Sequence, residues 1–218
     1  MHNNMHNMDK LYKKGLLLEY FTVGYNIIEA IISIAFGSMV NSIALVGFGL
    51  DSIVESLSGL VLIWRLRQHQ KITEEEEERV EKKAMKFIAI TFLVLALYVL
   101  FQSVKKLLFQ EIPNPSLPGI IITIASIVVM PILSLQKYRI GKKIKSKALI
   151  ADSKETLACF FLSLALLLGL GLNYLLDFWQ ADPIVGIIIV VFLLREGIES
   201  WKESNEKEES NFSKLKNG

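Results

Sequence analysis

The apolar residues of this chain come in blocks of about 20, the length that carries a helix across a bilayer. The blocks lie at about 16–37, 42–64, 85–104, 117–136, 148–172 and 183–200. A soluble domain would instead space its apolar residues with a helix or strand period around one core. With 52% of 218 residues hydrophobic and grouped in this way, the expected fold is all-α. It is a polytopic membrane protein, a six-transmembrane-helix bundle. The chain divides into a cytoplasmic N-terminal segment (1–14), the transmembrane domain (15–200) and a polar tail (201–218) expected to be disordered. No cleavable signal fits the polar N-terminus.

Basic residues alternate between connectors. Lys10, Lys13 and Lys14 precede the first block, and the turn GSMVNS after it has no Lys or Arg. Seven basic residues from Arg65 to Lys86 follow the second block, and six from Lys137 to Lys147 follow the fourth. The connector NYLLDFWQA has none. By the positive-inside rule both termini are cytoplasmic, and the expected location is the plasma membrane. Thr73 with Glu76 reads as a capping box opening the third helix. Asp182–Pro183 reads as cap and first position of the sixth. Pro131 is expected to kink the fourth.

Two blocks carry side chains that lipid disfavours. The second holds Asp51 and Glu55, and the fifth holds Glu155 and Cys159. Each pair is spaced i, i+4 and so stacks one turn apart on one helix face. A charge at bilayer depth costs several kcal/mol, which makes such residues functional candidates. At ~1.5 Å rise per residue, Glu55 lies roughly 20 Å below the outer surface of a ~30 Å core, and Glu155 roughly 10 Å from the inner one. Glu55 is thus level with Glu155, and Asp51 with Cys159. The pairs are placed to face each other and close a tetrahedral site of three carboxylates and a thiolate, suited to zinc and similar divalent metals. Taken singly, each residue has a plainer explanation. Lys154 adjoins Glu155 as a pairing partner, and a lone Cys in an apolar helix is most often a small buried hydrophobe.

Other polar residues are candidates for supporting roles. Asn26 and Glu29 share one side of the first span with Glu19 and Ser33, and Asp152 lies one turn cytoplasmic of Glu155. Glu29 fits a proton carrier or an access ligand, and Asp152 an inner gate. Ser52, Ser56 and Gly59 form a small-residue strip suited to close helix packing. His2 and His6, among three Met residues, are a compositional hint of metal collection only.

These residues resemble the paired motifs of the cation diffusion facilitator family. GFGLDSIVES is similar to its second-helix D-x-x-x-D motif, with Asp51 and Glu55 on the ligand positions. IADSKETLAC is similar to the fifth-helix H-x-x-x-D motif, with Glu155 at the usual His and Cys159 at the usual Asp. Ala151–Asp152 and Trp179–Pro183 match further family features. The resemblance covers about residues 15–200 and implies a divalent-cation efflux transporter. Zinc is the first expectation for the substrate, with cobalt, cadmium, manganese or iron as others. It implies no cofactor, and a homodimer by analogy. With no His in any span, the usual zinc preference is less marked, and a transmembrane-only branch of the family is expected.

The mechanism implied is proton-coupled antiport, because ligands must deprotonate to bind metal and recapture protons on release. The partners are then the metal ion, protons and the lipid bilayer; no nucleic acid is expected. Two other readings compete. A proton-coupled organic-cation exporter would use the carboxylates as a charge site. A non-transporting membrane assembly protein would use the polar groups to lock helices together. An enzyme is not expected, since Cys159 has no His in any span to act as its base.

Overall fold

The computed structural model describes residues 2–67, 74–114, 116–144 and 146–216, for some of which, chiefly 2–9, 74–85 and 203–216, it describes the backbone alone. The described residues form six helices: α1 (His2–Met39), α2 (Ile43–Arg67), α3 (Glu74–Phe109), α4 (Leu117–Ile144), α5 (Lys147–Leu176) and α6 (Ala181–Lys216). There is no strand among them. Among the described residues, five segments are long and apolar enough to cross a membrane: Lys10–Met39, Ile43–Arg67, Phe92–Phe109, Leu117–Ile144 and Asp152–Leu176. The apolar run of α6, Pro183–Leu194, stops at Arg195 and Glu196, yet α6 packs closely along α3 within the bundle.

The surface is apolar and the interior holds charge. Leu17, Ile31, Leu97 and Leu168 are each more than 60% exposed, while Glu19, Glu29 and Lys137 are fully buried. A contiguous apolar exterior of this kind is not sustained in water and suits lipid. The chain is a multi-pass membrane protein.

The closest pairs are α1 with α2, α3 with α6, and α4 with α5. α1 also meets α4, and α2 touches α3, α5 and α6, so α2 sits at the centre. Lipid gives no hydrophobic drive between helices, so association depends on close packing and polar contacts. Gly49 shows how close α1 and α2 come: a Cβ there would stand 2.8 Å from Ile34 Cγ1 and 3.0 Å from its backbone N. At the far end of the same pair, Gly59 lies against Val23 and Glu19, the packing expected of the small-residue strip. Phe48, Val54, Val99, Leu166, Ile189 and Leu193 fill the apolar core between α2, α3, α5 and α6.

The end of the bundle carrying the Lys-free turns is tied by one polar knot. Asn41, at φ 58°, turns the chain between α1 and α2, a left-handed conformation Asn tolerates. The Ser42 hydroxyl caps α2 by accepting the Leu45 N–H at 3.1 Å. Asp182 does not act as the simple N-cap of α6, which already begins at Ala181. Its carboxylate instead accepts the Ser42 hydroxyl and the Ile43 N–H, the latter at 3.0 Å, so it caps α2. Lys106 pairs with Asp182 at 3.5 Å and donates to the Asn41 carbonyl.

Two expectations about boundaries are corrected. The tail from residue 201 continues α6 as helix to Lys216 rather than being disordered. It contains no Gly or Pro before residue 218, is rich in Lys and Glu, and spaces Glu203 and Lys207 at i, i+4, a pattern that favours helix. α4 runs through Pro131 and on to Ile144, so Lys137 belongs to the helix and not to a loop. The N-terminal segment likewise belongs to α1 from His2 onward. Thr73 and His69 lie outside the described residues, as do the side chains of His2, His6 and Glu76.

Candidate functional site

Asp51, Glu55, Glu155 and Cys159 line one small pocket between α2 and α5 on one side and α3 and α6 on the other. The i, i+4 spacing on α2 and α5 places each pair on the face turned to this pocket. Phe92, Leu162 and Phe192 supply its apolar wall, and Glu196 of α6 adds a fourth carboxylate. No basic side chain lines it among the described residues. The cavity volume is ≈ 20 Å³, room for about one water or a bare ion.

Each ligand candidate has its own setting. Asp51 and Cys159 are buried. Glu155 is half-buried and accepts the Ser58 hydroxyl at 3.1 Å, while Lys154 beside it turns to the exposed surface. Glu55 is buried, and its Oε1 accepts the Thr156 hydroxyl at 3.0 Å. The other oxygen, Oε2, is buried with no hydrogen-bond partner among the described residues. A buried carboxylate oxygen left this way is costly unless a cation or proton joins it. No three His, Cys, Asp or Glu among the described residues stand close enough together to hold an ion as they are. The pocket therefore gathers the right chemistry without a closed coordination shell.

The supporting candidates fall behind the pocket, on its α1–α4 side. Glu29 accepts the Ser52 hydroxyl at 2.7 Å and the Ser126 hydroxyl, and Ser126 in turn meets the Tyr25 hydroxyl at 3.0 Å. Ser52 of the small-residue strip thus has a polar role as well as a packing one. Asn26 is fully buried with neither amide atom partnered among the described residues. Asp152 pairs with Lys137 at 2.5 Å, and Lys137 pairs also with Glu19 at 3.3 Å.

Sequence reasoning missed Lys137, Thr156, Ser58, Ser126 and Glu196. Lys137 hid among the loop lysines at the end of its block. Glu196 sits just past the end of the apolar run of α6, beside Arg195, where an acid draws no attention. The hydroxyls carry no signal, because Ser and Thr are common throughout such helices.

The cation efflux transmembrane domain matches residues 20–206, most of the chain and all six helices in part or whole. The chain belongs to the cation efflux family. Among its relatives is Transmembrane protein 163 of Xenopus laevis, 23% identical over 195 residues, which cover 89% of this chain and 68% of that protein. The manganese efflux system protein MneS of Bacillus subtilis (strain 168) is 23% identical over 205 residues, covering 92% of this chain and 70% of MneS. An uncharacterized transporter of Methanocaldococcus jannaschii is 25% identical over 174 residues, covering 78% of this chain and 61% of that one. Cation efflux family membership makes this a cation transporter by descent.

Proposed function

We propose that this protein exports a divalent metal ion by proton-coupled antiport through the pocket between α2 and α5, with Asp51, Glu55, Glu155 and Cys159 as ligands. The observation that carries the reading is the convergence of these four side chains, from two i, i+4 pairs, on one ion-sized cavity that no basic side chain lines among the described residues. The cavity's size weighs against an organic cation. The buried Glu55 Oε2, lacking a partner, weighs against a purely structural role for the cluster.

Three carboxylates make the site largely hard, which suits manganese, and a thiolate adds a softer donor for zinc or cadmium. The manganese named for MneS supports including that metal beside zinc. Binding to carboxylates and a thiol displaces protons, and emptying the site takes them back, so metal and protons move in opposite senses. Helices rocking about a site at mid-depth would expose it to each face in turn. The reading includes a plasma-membrane location, cytoplasmic termini and a homodimer.

The test is purified protein in vesicles carrying a pH gradient, with manganese, zinc and cobalt movement followed in turn. Gradient-driven flux of at least one metal is expected, abolished by Asp51→Asn with Glu55→Gln. Flux that survives the double substitution would overturn the site. Competition by lipophilic cations, with no metal flux, would favour organic-cation export.

A further inference from the structure

Lys137 is a lysine with no exposed surface inside a membrane helix, an expensive placement that the proposed metal site does not itself explain. Its ammonium meets side chains from two other helices. It pairs with Glu19 of α1 at 3.3 Å and Asp152 of α5 at 2.5 Å, and donates to Thr156 Oγ1 of α5 at 3.2 Å. Glu19 and Thr156 are as fully buried as Lys137, and Asp152 nearly so. Two carboxylates flank one ammonium, so this cluster adds no net positive charge behind a cation site.

The hydrogen-bond direction here is fixed by chemistry. An ammonium only donates, so the Thr156 oxygen accepts from Lys137 and its own hydrogen goes elsewhere. Two acceptors stand in reach: Glu55 Oε1 at 3.0 Å and the Asp152 carbonyl one turn back at 3.1 Å. A Thr hydroxyl left to itself tends to bond its own helix at i−4. Polarised by the ammonium, it is a better donor to a carboxylate than to a carbonyl. Held at Oε1, Glu55 has only Oε2 left to offer, and that is the buried oxygen with no partner.

We propose that Lys137 is a positioning residue for the metal site: through Thr156 it holds Glu55 by one oxygen and leaves the other to bind the ion. This rests on the reading of Glu55 as a ligand. Groups that orient a metal ligand typically change affinity 10–100-fold when removed, roughly the effect expected here.

The experiment is equilibrium binding of Mn²⁺ to the purified full-length protein. Thr156→Val should raise the dissociation constant about 10–100-fold, and Thr156→Ser, which keeps the hydroxyl, should restore it. The variant Glu19→Gln/Lys137→Met/Asp152→Asn removes the whole buried charge cluster, leaving no charge in it unpaired. It should lose affinity as Thr156→Val does, and adding Thr156→Val should cost nothing more. Thr156→Val binding like the wild type would overturn the proposal, as would losses from the two sets that multiply. Should the triple variant not fold, the Thr156 pair decides: loss with Val and recovery with Ser supports it, and any other pattern overturns it. Wild-type binding indifferent to Asp51→Asn with Glu55→Gln would instead bring down the site itself.

Discussion

At the scale of single residues, the two oxygens of Glu55 have different fates, one held by Thr156 and one left without a partner. Asp51, Glu55 and Glu155 were legible in the sequence because lipid makes an acid in an apolar block conspicuous. The hydroxyls that hold two of them were not, since nothing in sequence separates a Ser that binds a carboxylate from one that bonds its own helix. Cys159 is the one soft donor of the proposed site, so Cys159→Ala should weaken cadmium and zinc binding about tenfold while barely changing manganese. Competition binding with the three metals checks this; equal retention of all three would make Cys159 a packing residue. Glu196 stands at the same pocket from α6. Glu196→Gln should slow metal loading with less effect on equilibrium affinity, which stopped-flow binding would measure.

At the scale of elements, five spans and their order were readable because hydrocarbon thickness sets a helix length. The ends were less so. A run of lysines looks like a loop, yet α4 continues to Ile144 and takes Lys137 under Glu19, a placement only packing can reveal. The tail looks polar and unstructured, yet its Lys and Glu content is compatible with helix. Asp182 shows the same limit: local signals make it a cap for α6, and the fold uses it to cap α2 and hold Lys106. Removing one partner of a buried pair leaves the other charge uncompensated, at about 3–5 kcal/mol. Asp182→Ala should therefore lower thermal stability in detergent strongly, and Lys106→Met on the same background should recover part of the loss. Gly49→Leu should part α1 from α2 and destabilise by about 1–3 kcal/mol or more, since even a Cβ there crowds the Ile34 backbone. A thermal unfolding series would show both effects.

At the scale of the whole molecule, leucine and isoleucine cover the outside, while carboxylates and two lysines lie within beside an apolar core. Those internal charges are not spread evenly. A lysine-containing cluster lies behind the site between α1, α4 and α5, and among the described residues the pocket between α2 and α5 is lined by acid without base. Under the proposed function such a pocket takes a dication in exchange for protons. Metal binding near neutral pH should release protons into weakly buffered solution, with the count falling as pH rises and the ligands enter already ionised. A proton count independent of metal would contradict coupling at this site.

In the proposed mechanism α2 and α5 together supply the ligands of one metal ion. X-ray absorption of the zinc-loaded protein tests it most directly. A four-coordinate shell dominated by oxygen at about 2.0–2.2 Å with one sulfur at about 2.3 Å is expected, the sulfur vanishing in Cys159→Ala. A shell unchanged by Asp51→Asn with Glu55→Gln would contradict it, while one without sulfur would leave Glu155 as the ligand from α5.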